Sequence, residues 1–185
     1  MKNKLFLTGE RGAGKSTLIN RFAQMLDFVP CGFQTLPCEA GKNIVDTLII
    51  RPYDANLPLC GELEPDAEDF AVVAIRNRQK RTLDVDINAF DKTGVEILRR
   101  ALVSAHTRFI IMDELGFMES EAYLFQYEVF RCLDSRIPVL GVLRAASTPF
   151  LDAVRMHDNV TVVEVTLENR EQVFEKVLDI EQFCR

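Results

Sequence analysis

The stretch Leu5-Phe6-Leu7-Thr8-Gly9-Glu10-Arg11-Gly12-Ala13-Gly14-Lys15-Ser16-Thr17-Leu18-Ile19 decides how the rest of the chain is read. Its opening residues form a short apolar run of the kind that builds a buried strand, and its closing residues start a helical pattern. Between them, Gly9 to Ser16 fills the spacing G-x-x-x-x-G-K-[ST], in the strand–loop–helix context that the pattern requires. The glycines let the backbone curl so that its N–H groups converge on phosphate oxygens, and a helix beginning near Lys15 adds the positive end of its dipole. Lys15 is expected to reach the β- and γ-phosphates of a nucleoside triphosphate, and the Ser16 hydroxyl to hold Mg²⁺, a hard cation served by oxygen ligands. Gly9, Glu10, Arg11, Gly12, Ala13, Gly14, Lys15, Ser16 and Thr17 together are the candidate phosphate cradle.

The second half of such a site is expected from Phe109-Ile110-Ile111-Met112-Asp113-Glu114, an apolar strand ending in two carboxylates at the sheet edge where ligands bind. Asp113 is expected to orient Mg²⁺, and Glu114 to polarise a water in line with the γ-phosphate. An acid directly after the metal-orienting Asp is what water-activating phosphohydrolases of this type have, and what most nucleotide kinases do not need. Arg144, directly after the apolar run 139–143, is a third candidate: a cation there stabilises charge on the transferring phosphoryl group.

Apolar runs at 5–8, 109–112, 139–143 and 160–165 alternate with helical-period segments at 15–27, 120–135, 148–157 and 167–182, and a further helix before 109 carries Val95, Leu98, Leu102 and Ala105 on its inner face. Such alternation predicts an α/β three-layer sandwich with a mainly parallel sheet and right-handed crossovers. The stretch 31–85 breaks the pattern. Strands expected at 32–36, 45–50 and 70–75, separated by Gly, Pro and Asp turns, read as a β-rich antiparallel insertion within one domain spanning 1–185. The acidic run 62–69 reads as an exposed loop.

At 185 residues the chain is long enough to bury a core without disulfides or structural metals, and no apolar run approaches a bilayer span. The N-terminus carries no secretory pattern, which predicts a cytoplasmic protein. The five cysteines, 31, 38, 60, 132 and 184, show no C-x-x-C spacing and read as reduced thiols. A net charge of −6 disfavours a surface built wholly for nucleic acid. The run Arg76-Asn77-Arg78-Gln79-Lys80-Arg81 reads as a solvated hairpin tip, with an acceptor-site lid or a nucleic-acid contact as its other readings. His106 and His157 read as surface or boundary residues. A nucleotide or small-molecule kinase, and a nucleotide-dependent switch, are the rivals to hydrolysis. A monomer or weak oligomer is expected.

The chain resembles the thermophile-type nucleoside-triphosphatase family, whose vertebrate members are called cancer-related nucleoside-triphosphatases. The carboxylate strand continues as Asp113-Glu114-Leu115-Gly116-Phe117-Met118-Glu119, similar to the family's Asp-Glu-hydrophobic-Gly-x-Met-Glu, and Glu164-Val165-Thr166-Leu167-Glu168-Asn169-Arg170 matches its Glu-Val-Thr-x-x-Asn-Arg. The resemblance covers about 1–36 and 86–182. It implies a RecA-like P-loop core and Mg²⁺-dependent hydrolysis of nucleoside triphosphates to diphosphate and phosphate, with loose base selectivity. Thr166, Asn169 and Arg170 would then lie near the nucleoside; helix capping by Thr166 and a solvated Arg170 is the other reading of these residues. The family's Arg- and Gly-rich hairpin is replaced here by Leu36-Pro37-Cys38-Glu39-Ala40-Gly41-Lys42-Asn43, and its Gly-Lys-Tyr is missing.

Overall fold

The computed structural model describes residues 3–38, 45–56 and 70–181. Eight strands form one sheet in the order β5-β4-β3-β2-β6-β7-β1-β8. They are β1 (Lys4–Thr8), β2 (Cys31–Cys38), β3 (Val45–Pro52), β4 (Ala71–Asn77), β5 (Thr82–Val85), β6 (Ile110–Leu115), β7 (Val139–Leu143) and β8 (Val160–Glu164). Strands β2, β6, β7, β1 and β8 run parallel, while β2–β3, β3–β4 and β4–β5 pair antiparallel. The first expected strand of the β-rich stretch is therefore a parallel neighbour of β6 as well as the antiparallel neighbour of β3. The antiparallel extension begins at β3 and includes β5, whose four residues gave too short a pattern to stand out in the sequence.

Side chains alternate across the sheet with period two, and each face has its own core. Leu5 and Leu7 of β1 join Leu18, Ile19, Phe22, Phe109, Ile111, Phe174 and Val177 on one side, beneath α1 (Lys15–Met25) and α6 (Arg170–Glu181). Phe6 joins Phe33, Phe90, Leu98, Phe125, Val129 and Val154 on the other. That face is covered by α2 (Ile87–Ala89), a π-helical segment (Phe90–Gly94), α3 (Val95–Val103), α4 (Tyr123–Asp134) and α5 (Pro149–Met156). All five residues of β7 are buried, as a strand covered on both faces must be. Gly141 sits there because a Cβ would stand 2.5 Å from the Phe6 ring.

Several element ends differ from the sequence pattern, each for a local reason. The apolar strand expected to end in Asp113 and Glu114 starts at Ile110 and runs one residue past them, to Leu115. The helix expected at 120–135 is α4, shortened to Tyr123–Asp134 and preceded by a 3₁₀ turn (Met118–Glu121). The last helix starts at Arg170, because Thr166 and Asn169 hydrogen-bond to backbone before it. Ala105 lies beyond α3 and is exposed; Ala101 takes the inner position instead. The acidic run 62–69, the hairpin residues 39–44, Cys60 and Cys184 lie outside the described residues. Among the described residues no helix is long and apolar enough to cross a membrane.

Candidate active site

Because the central strands are parallel, Thr8, Leu115, Leu143 and Glu164 all end at one edge of the sheet. β7 separates the strand that carries the phosphate loop from the strand that carries the carboxylates. The loop after β1 turns through Gly9, Gly12 and Gly14, with φ of +127°, +85° and +95°. Gly9 is the most constrained, since a Cβ there would meet the Val165 carbonyl at 2.4 Å. Helix α1 follows at Lys15, its first residue, so the free N–H groups of its first turn open toward the loop. Glu10, Arg11, Gly12 and Thr17 are exposed, whereas Ala13 is buried.

The Lys15 ammonium donates to the carbonyls of Gly9 at 2.9 Å and Glu10 at 2.7 Å, so it lies over its own loop. One residue on, the Ser16 hydroxyl donates to Asp113 Oδ1 at 3.1 Å, joining α1 to β6. Asp113 is only 4% exposed. Burial pushes its carboxyl up to about pKa 7; the neighbouring Glu114 charge adds to this, while the Ser16 hydrogen bond and Lys15 oppose it. No ion pair neutralises Asp113 among the described residues. A hydroxyl and a buried carboxylate in contact, with no ion pair to either among the described residues, suit a hard divalent cation.

Glu114 stands partly exposed beside Asp113 and pairs with Arg144, Oε1 to Nε 3.1 Å. Arg144 is held by its backbone: its N–H donates to the Leu115 carbonyl at 3.0 Å, and Arg155 donates to its carbonyl at 2.5 Å. Its guanidinium lies 5.2 Å from the Phe117 ring. The structure thus brings Lys15, Ser16, Asp113, Glu114 and Arg144 to one edge.

The chain segment after β8 contributes differently. The Thr166 hydroxyl accepts from the Glu168 and Asn169 N–H groups, and the Asn169 amide bonds the Thr166 N–H and the Glu164 carbonyl. Both side chains are occupied in shaping the start of α6. Arg170 alone of the three reaches the loop, its Cδ and Nη1 standing 3.1 and 3.2 Å from where a Gly14 Cβ would be.

The sequence profile of the NTPase family matches residues 4–178. This chain belongs to the NTPase family. The nucleoside-triphosphatase THEP1 of Thermotoga maritima is 27% identical over 182 residues, covering 98% of this chain and 97% of that protein. The human cancer-related nucleoside-triphosphatase is 27% identical over 195 residues, with both chains fully covered. The crystal structure of THEP1 from Aquifex aeolicus superposes with a TM-score of 0.69 at 24% identity, covering 96% of this chain and 98% of that one, a likeness of fold.

Two buried groups of this NTPase-family chain went unread as site residues in the sequence. Glu119, in the 3₁₀ turn after β6, is fully buried and accepts the Gly116 N–H at 2.8 Å. Gln34 is fully buried on β2 beside Asp113 in register, and Arg51 is its partner on β3. With the Gln34 amide oxygen turned to Arg51, it accepts from Nη2 at 2.8 Å and Nε at 2.7 Å. Neither pairing has a periodic signature, because turn packing and strand register decide it. His106 is exposed and His157 pairs with Asp134 at 3.1 Å, away from the loop.

Proposed function

We propose that this chain hydrolyses Mg²⁺–nucleoside triphosphates to the diphosphate and phosphate. The observation that carries this reading is Glu114, a partly exposed carboxylate directly beside the buried Asp113–Ser16 contact and within ion-pair reach of Arg144. Lys15 and the N–H groups of 9–17 bind and orient the phosphates. Ser16 and Asp113 are the residues that would hold Mg²⁺, and the ion supplies charge neutralisation for the phosphates when bound. Glu114 takes a proton from water as the water oxygen bonds to the γ-phosphorus and the bond to the β-phosphate oxygen breaks. Arg144 stabilises the charge that gathers on the γ-phosphoryl oxygens.

The names of the family's relatives support the class of substrate. Loose base selectivity fits the loop after β8, where Thr166 and Asn169 spend their polar groups on the backbone, leaving Arg170 as the side chain that faces the loop. The protein as proposed works in the cytoplasm as one domain.

The test is phosphate release from ATP, GTP, CTP and UTP with and without Mg²⁺, comparing the parent with Glu114→Gln. Loss of a general base lowers turnover by about 10²–10⁴-fold with binding retained. Undiminished turnover in the variant removes Glu114 from the mechanism. Transfer seen only with an added acceptor makes the protein a kinase, and tight binding without turnover makes it a switch.

A further inference from the structure

Two glutamates among the described residues are fully buried, and they differ in how their charge is met. Glu128 is neutralised by Arg99 and Arg131, each at 2.8 Å. Glu119 makes no ion pair within 4 Å among the described residues. Its Oε2 accepts from the Gly116 N–H, and its Oε1 has no hydrogen-bond partner. Its backbone is also fixed, since Gln126 of α4 donates to its carbonyl at 2.7 Å. A buried carboxyl held so rigidly, with one oxygen left over, is costly unless its charge serves something nearby.

The nearby group is Arg144. The site where a Gly116 Cβ would stand is 3.5 Å from both Arg144 Cδ and Glu119 Oε2, so the arginine stem and the carboxyl flank the same glycine. The Arg144 Nε is committed to Glu114 Oε1 at 3.1 Å. In that ion pair Glu114 Oε1 is turned to the guanidinium. To act on water, Glu114 must be freed, and the guanidinium must find its counter-charge elsewhere.

We propose that Glu119 is a positioning residue for Arg144: its carboxylate, fixed by the Gly116 N–H, holds the guanidinium at the strand edge while it exchanges Glu114 for the γ-phosphate. The substrate then supplies negative charge in place of Glu114, and Glu119 supplies a second negative charge beside Gly116. Without the charge at 119, Arg144 stays on Glu114 and the base stays blocked. This inference rests on the roles proposed above for Glu114 and Arg144.

The charged groups facing Glu119 are Glu114 from β6 and Arg144 from the end of β7. Burial holds its proton up to about pKa 7; its own backbone N–H, the Gly116 N–H and Arg144 oppose this, while Glu114 adds to it. The carboxylate therefore forms as pH rises through about 7, and turnover rises with it.

The experiment measures kcat and KM for Mg²⁺–ATP from mildly acid to mildly alkaline pH in Glu119→Gln, Glu119→Asp, Arg144→Ala and the Gln/Ala double variant. Glutamine keeps the shape and an acceptor for Gly116 but not the charge. The expected result is a kcat lowered about tenfold with KM within about twofold, and a flattened rise near neutral pH, as for an interaction made only in the transition state. Aspartate, which keeps the charge, restores the rise. The double variant is no slower than Arg144→Ala, because a residue acting through another adds nothing once that other is gone. An unchanged kcat and pH rise in Glu119→Gln, or additive losses in the double variant, overturns the proposal. A fully active Arg144→Ala overturns it through its premise, while Glu114→Gln reports separately on hydrolysis.

Discussion

Asp113 is where one residue's chemistry is most altered by its surroundings. A carboxyl whose pKa rises from 3.8 to about 7 on folding binds its proton more tightly in the native state than in the unfolded chain. Stability therefore falls as pH rises between those values, and the full cost stands above about pH 7. Each tenfold gain in proton affinity corresponds to about 1.4 kcal/mol, so holding the charged form costs a few kcal/mol, relieved by a bound divalent cation. In metal-free protein at alkaline pH, Asp113→Asn should melt several degrees higher than the parent, with the gap closing in acid; scanning calorimetry at both pH values checks this. Lys15→Ala should raise the dissociation constant for triphosphate and lower kcat together, each by roughly 10–100-fold, since a charge-assisted hydrogen bond contributes about 1.5–3 kcal/mol. Equilibrium binding and turnover measured side by side separate the two. Lys15 was legible in the sequence through a fixed spacing, and Asp113 through the apolar run that it ends. Glu119 was visible only as a letter in a motif, because its burial depends on how the 3₁₀ turn folds under α4.

Among the elements, the helical layer over 87–103 turns on one residue. Gly94 lies at the end of the π-helical segment, where a Cβ would stand 2.7 and 2.8 Å from the Phe125 ring and 3.2 Å from Ile50. Gly94→Ala should destabilise the protein by about 1–3 kcal/mol, the range for overpacking a full core, and denaturant unfolding reads it directly. Strand β1 is tied to the end of α4 by Lys4, which is 1% exposed and donates to the carbonyls of Ser135, at 2.9 Å, and Ile137. Burial lowers its pKa from 10.5 to about 8, with Cys132 and Asp134 opposing. The native state thus gives up a proton before the unfolded chain does. Stability contributed by this group rises between about pH 8 and 10.5, and Lys4→Met should lack that rise in melting temperature. Neither feature could be read beforehand: the hydrophobic period marked the helix, but not the ring against Gly94, and a lysine beginning an apolar run looks like a solvated strand end.

For the whole molecule, a ligand that binds only the folded edge should raise its stability by mass action. Mg²⁺ with a non-hydrolysable triphosphate at about a hundred times its dissociation constant should add about 2.7 kcal/mol, and much less without Mg²⁺ or in Ser16→Ala. A thermal shift titration checks both arms.

The sequence by itself determined the sandwich and the edge where its candidate site gathers, because two local signals sufficed. The strand–glycine loop–helix pattern at 5–19 and the apolar run into Asp113 and Glu114 each encode their own conformation, and parallel connectivity brings their ends to one side. What only the tertiary structure decided is everything set by contacts between distant segments. Strand β2 belongs to both the parallel and the antiparallel parts because of its neighbours, not its residues. Arg144 meets Glu114, Gln34 meets Arg51, and Glu119 loses its water through register and turn packing. Periodicity records which face of an element is apolar; which polar groups end up sharing the same few ångströms depends on how the elements are stacked.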